Sequence, residues 1–377
     1  KSFSDKPALR VGGWINAIVP MLIVPYYCVI GGWVTKYLFE YLRGQAAAMA
    51  TDEYFSAFIA NSPSAEFWFA LFALMVFLVI IAGVKHGVEK VSSIMMPLLV
   101  VLAIFVAAYS VTRPGAFEGV KYFLIPNFEN FSLMTVVAAM GQMFYSLSIA
   151  MGILYTYGSY LNKDVDIEQS TSRLELFDTG IAMLAGLMII PAVFAFSGGD
   201  MATLQAGPSL MFITIPKVFA SMGFSNIVGF VFFLMVLFAA LTSAISLMET
   251  GVSTFVDETG WGRTRCSVLM FVIMLVVGSA SALGFGVWSF VAPFGMSILD
   301  FFDFLTNSVM MPIAAIATCL LVSRVIGVEQ IAQEVEQDGQ RFRRKPVFNF
   351  MIRWLCPIFA AIILASSVAN AFGWIAM

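Results

Sequence analysis

Charge is what this chain has least of. Only 11% of its residues are Asp, Glu, Lys or Arg, while 60% are hydrophobic. A soluble domain carries roughly 25% charged and about 45–50% apolar residues, so this composition excludes an ordinary water-soluble globule and implies an integral membrane protein. There is one histidine, His86, and no H-E-x-x-H pattern, which argues against a histidine-built zinc site or a His-based triad. The four cysteines, Cys28, Cys266, Cys319 and Cys356, are scattered and mostly lie in apolar runs. They form neither a metal motif nor a disulfide framework and read as small packing residues. A formal charge of −3 points to no nucleic-acid partner. The opening "KSFSDKPALR" is polar and basic, lacks an initiator Met and has no secretory leader. So abrupt a start reads as the interior of a longer protein.

What is present is a succession of long apolar runs. A helical span needs about 20 such residues, and nine segments qualify: 12–42, 66–84, 93–112, 132–160, 176–197, 225–256, 266–284, 295–323 and 347–372. Without barrel-like alternation, helices are the only spanning structure available. Segment 44–65 reads as an outer loop and 324–346 as a cytoplasmic one. Residues 198–224 are too broken by Gly and Pro to span and read as an outer capping hairpin. With residues 1–11 placed in the cytoplasm, fifteen Lys and Arg fall on or next to the cytoplasmic side and five on the other. The positive-inside rule then leaves the C-terminus outside, in a multi-pass protein of the cell membrane.

Three polar clusters interrupt the apolar runs. In "YSLSIAMGILYTYGSY", Ser146, Ser148 and Gly152 fall mid-span. A lone serine there usually bonds its own turn or a neighbouring helix, but the cluster with its Gly suggests a broken helix lining a cavity. In "FAALTSAIS", Ala239, Thr242 and Ser243 share one helical face. Their carbonyl and hydroxyl oxygens suit a small hard cation, although small-residue packing explains the same spacing. Asp178 lies in an apolar run, where a carboxylate suggests function unless the helix begins there and Asp178 caps it. Asp300 and Asp303, three apart, share a face at the outer end of their span.

Taken in order, these segments resemble the neurotransmitter:sodium symporter family. "VPYYCVIGGW" is similar to the family's third helix, "GQMFYSLSIAMGILYTYGSY" to its unwound sixth, and "MLAGLMIIPAVFAF" to its seventh. "GPSLMFITIP" resembles the fourth outer loop and "FAALTSAIS" the eighth helix. The resemblance implies one all-α polytopic domain over 1–377, a LeuT-type inverted-repeat helix bundle. Family helices three to eleven are matched, so the chain is expected to lack the first two. It implies a sodium-coupled symporter of a neutral, hydrophobic or aromatic, amino acid working by alternating access. Ser146 and Asp178 would contribute to a first sodium site, and Ala239, Thr242 and Ser243 to a second. Each would be incomplete without the first family helix, so residues 1–377 alone are not expected to transport. Asp178 stands where members often have Asn, which implies no chloride requirement. Tyr27 would bind the substrate carboxylate. Ile23, Tyr145, Ser148, Met151, Ser243 and Leu247 would line the pocket, and Tyr145 replaces the usual Phe of the lid. Asp303 would serve the outer gate, and Tyr160 with Asp257 the inner one. The alternatives are a carrier of another small solute on the same fold, or a non-transporting scaffold or inactive fragment. A membrane enzyme is disfavoured, because no nucleophile–base pair is in evidence.

Overall fold

Lipid offers the backbone no hydrogen-bonding partner, so a chain this apolar has to close its backbone bonds inside helices. The computed structural model describes residues 7–200, 207–337, 340–372 and 374, and among them the regular structure is helical throughout. In chain order the membrane helices are α1 (Pro7–Leu42), α2 (Ser62–Ile81), α3 (Val84–Val111), the half-length pair α4 (Leu133–Ser146) and α5 (Ile153–Tyr160), and α6 (Ile167–Ser197). They continue with α7 (Ser225–Thr259), α8 (Arg263–Leu283), α9 (Ile298–Ile326) and α10 (Lys345–Ala371). Eight of these are long and apolar enough to cross a membrane singly. The predicted segment 132–160 is the exception, because it is divided into α4 and α5.

Two boundaries differ from the sequence reading. The segment expected at 176–197 begins at Ile167, where Asp166 caps the helix by accepting a hydrogen bond from the Gln169 amide at 2.8 Å. The polar turns 167–175 are therefore helical and carry α6 past the apolar stretch. The segment expected at 93–112 reaches back to Val84 through a wide π-turn at Val84–Glu89.

Because lipid tails are as apolar as leucine, helices in a membrane associate by close packing rather than by hydrophobic exclusion. Helix α1 shows this best. It runs through the middle of the bundle against α2, α7, α8 and α9, and its inward residues are almost wholly buried. At Gly32 the backbone of α2 comes so near that a Cβ would lie 2.6 Å from the Phe69 nitrogen, so only glycine fits. Further along α1, Trp33 meets the rings of Phe55, Phe212 and Phe285 edge-on, with centroids 5.2, 5.7 and 5.5 Å away. Tyr37 donates to the Phe212 carbonyl at 2.8 Å. These contacts seat the short helix Asp52–Ala60 and the segment 210–221 over the bundle. Residues 201–206 of the expected hairpin lie outside the described residues.

Candidate functional site

The break between α4 and α5 organises the site. Ser132 starts α4 with a reciprocal cap to Thr135, and the helix ends at Ser146. Beyond it the regular ladder lapses, with the Ile149 amide reaching back five residues to the Phe144 carbonyl, and resumes where the Thr156 amide bonds the Gly152 carbonyl. Ser148 and Ala150 hold φ of 54° and 61°. The left-handed region costs a side-chain-bearing residue roughly 1–2 kcal/mol, and such strain collects at functional sites. Gly152, at φ 74°, is required for a second reason. A Cβ there would stand 2.8 Å from the Asn16 carbonyl oxygen and 3.0 Å from the Thr250 methyl. The unwound segment is thus pressed against α1 and α7.

At the edge of the break, the Ser146 hydroxyl donates to an Asp178 carboxylate oxygen at 2.5 Å. Asp178 lies well inside α6, so it is not the N-cap that the sequence left open; Asp166 has that role. On α7, the Thr242 hydroxyl donates to the carbonyls of Phe238 and Ala239, both at 3.0 Å. Ala239 and Ser243 are exposed on the same face of the helix, with Thr242 half-buried between them. Tyr27 lies against the Ser243 side chain where α1 packs on α7. Ile23, Met151 and Leu247 are buried together in the main core, Ser148 is half-buried and Tyr145 is partly exposed. Tyr145 also borders a cavity of about 180 Å³ shared with Asn307, Ser308 and Ser367.

On α9, Asp303 accepts from Tyr26 at 3.2 Å and from the Asn307 amide at 2.5 Å. The π-turn Phe304–Met310 brings Thr306 and Asn307 round to the same tyrosine, at 3.2 and 3.3 Å. At the end of α5, the expected partners Tyr160 and Asp257 do not meet. Tyr160 donates instead to Glu249 at 2.8 Å, and Arg263 grips the same carboxylate through both oxygens at 2.7 and 2.5 Å. Glu249 is completely buried, whereas Asp257 is exposed near the end of α7. Sequence reasoning passed over Glu249 and Arg263. A signal was there, since Glu249 is an isolated acid deep in an apolar run, but the partner fourteen residues on lies across a helix turn that spacing alone does not close. Among the described residues no group of three His, Cys, Asp or Glu side chains is placed to hold a metal. The oxygens gathered here are hydroxyls, carbonyls and single carboxylates, the donors a hard monovalent cation accepts.

Known proteins bear on this geometry. The model of the sodium:neurotransmitter symporter family matches residues 40–373. An uncharacterized sodium-dependent transporter of Bacillus subtilis, YhdH, is 31% identical over 373 residues, covering 98% of this chain and 82% of the relative. The sodium- and chloride-dependent taurine transporter of Rattus norvegicus is 24% identical over 382 residues, covering 86% of this chain and 60% of its own. Among solved structures, that of MhsT in complex with L-phenylalanine superposes with a TM-score of 0.84 at 34% identity. The match spans 96% of this chain and 82% of the other.

Proposed function

The chain belongs to the sodium:neurotransmitter symporter family, and from that membership we propose that it couples sodium to the uptake of a neutral hydrophobic or aromatic amino acid. Membership and the eight apolar helices make it a multi-pass, sodium-dependent transporter of LeuT-type fold rather than an enzyme. The finer reading rests on one observation above the others, the 2.5 Å contact of Ser146 with Asp178 at the edge of the unwound segment. In that reading Ser146 and Asp178 serve a first sodium ion. The Ala239 carbonyl and the Thr242 and Ser243 hydroxyls serve a second. These oxygens are fewer than the about six a hard cation commonly gathers, so other groups complete each shell.

The substrate lies at the break, where the positive N-terminal end of α5 faces a carboxylate and Tyr27 adds a hydroxyl. Ile23, Met151 and Leu247, with Ser148, Tyr145 and Ser243 at the margin, favour an apolar side chain. Sodium and substrate bound side by side strengthen one another by the same coupling free energy. The fixed charge of Asp178 stands in for an anion, so chloride is not required. Asp303 closes the outer side. Tyr160 closes the inner side, with Asp257 at its rim. Residues 1–11 are cytoplasmic, 44–65 and 198–224 lie outside, 324–346 lie inside, and the C-terminus is external in the cell membrane.

The test is equilibrium binding of labelled L-phenylalanine, the ligand in the MhsT structure, to the full-length protein in sodium and in potassium. Saturable binding in sodium alone, displaced by leucine or tryptophan but not by taurine, is expected. Displacement by taurine with none by leucine would assign the pocket to another class of small solute.

A further inference from the structure

One polar cluster, centred on a buried amide, belongs to none of these sites. Asn16 of α1 is 9% exposed. Its amide nitrogen donates to the Gly12 carbonyl at 3.1 Å and reaches the Thr318 hydroxyl of α9 at 3.5 Å. Its Oδ1 is buried and has no partner among the described residues. The same Thr318 hydroxyl accepts from the Tyr155 hydroxyl of α5 at 2.9 Å. One threonine oxygen therefore joins three elements. The junction lies one turn beyond Gly152, whose backbone already rests on the Asn16 carbonyl. Two other tyrosines fasten α5 on its opposite side, to α7. Tyr157 pairs with Ser246 at 2.7 Å and Tyr160 with Glu249 at 2.8 Å.

We propose that Tyr155, Thr318 and Asn16 form a latch that holds the inner half-helix α5 against α1 and α9, and that the latch parts when the inner side opens. This rests on the transport reading above and names positioning residues for it. Gly152 is the pivot, free in φ and set on α1 at Asn16. A swing of α5 about that pivot, carried with α7, keeps the Tyr157 and Tyr160 bonds but must break the bond from Tyr155 to Thr318. Tyr155 is 56% exposed, so its bond to Thr318 is what ties this face of α5 to α9, and the latch favours one discrete position of α5. The sequence contains a matching asymmetry: "YTYGSY" places its three tyrosines at 155, 157 and 160, and each bonds a different residue.

Hydrogen–deuterium exchange of the full-length protein tests this directly. Tyr155→Phe keeps the ring and removes the donor, and Thr318→Val removes the acceptor. Each is expected to speed exchange over 153–160 about two- to tenfold, the range of one net hydrogen bond, with 246–254 of α7 unchanged. The double variant should do no more than either single one, and Thr318→Ser should restore the wild-type rate. Substrate turnover should change in both single variants and return in Thr318→Ser, which a merely structural role would not produce. Unchanged exchange in α5, additive effects, failure of serine to rescue, or acceleration spread over all helices would each overturn the latch. Wild-type binding in sodium and potassium judges the transport reading separately, because the exchange result does not depend on it.

Discussion

At the scale of single residues, the contact between Ser146 and Asp178 has the clearest consequence. A hydrogen bond to an ionised group is worth about 1.5–3 kcal/mol, and sodium adds its own attraction to the carboxylate. Asp178→Ala is therefore expected to weaken sodium-dependent substrate binding at least about tenfold, read as the sodium concentration at half-saturation. With Asp178 in the proposed anion-replacing role, changing chloride to gluconate should leave wild-type binding unchanged; a loss of binding in gluconate would refute that role. Glu249 and Asp257 make a second contrast. Taking one partner from a buried ion pair costs about 3–5 kcal/mol, and the partial exposure of Arg263 puts this pair toward the lower end. Thermal denaturation should show Glu249→Gln well below wild type and Asp257→Asn close to it. Equal melting temperatures would mean that the pair carries no stability. Ser146 and Asp178 stood out in the sequence because polar residues in apolar runs are conspicuous, whereas Asp303 was singled out only by the family resemblance. The pairing of Tyr160 with Glu249 was not, because it depends on how α5 docks on α7.

At the scale of elements, the break was readable from composition, whereas its geometry was not. Serines and a glycine in mid-span pointed to an unwound segment, and the positive φ values at Ser148, Ala150 and Gly152 supply it. That two of these three carry side chains could not be foreseen from residue type, because non-glycine residues adopt this conformation only where neighbours hold them there. Two glycines offer a matched test. Gly152→Ala meets both a positive φ and the Asn16 carbonyl, so binding should fall severely. Gly158→Ala, inside α5 with nothing within 4 Å of its Cβ, should leave binding intact and firm the helix by about 0.5–1 kcal/mol. Comparable effects of the two substitutions would remove the argument that the joint at Gly152 is sterically fixed. The start of α6 was misjudged for a plain reason. Hydropathy reports where lipid begins, while the helix is set by the Asp166 cap in water.

At the scale of the whole molecule, periodicity and length sufficed for the number of membrane segments and the all-helical class. The packing order required the structure. Helix α1 looks like any other apolar run in the sequence, yet it is the central element on which α2, α7, α8 and α9 converge. Its small residues Gly31 and Gly32 allow the close approach of α2 at Phe69 and Phe72. The proposed sites draw on the same arrangement: Tyr27 comes from α1, Thr242 and Ser243 from α7, and α5 packs against α7 beside them. The most direct measurement is a sodium titration of labelled L-phenylalanine binding to the full-length protein, wild type beside Asp178→Ala. The account predicts binding that rises with sodium in the wild type, and a curve displaced at least about tenfold to higher sodium in the variant. Superimposable curves, or wild-type binding indifferent to sodium, would contradict it.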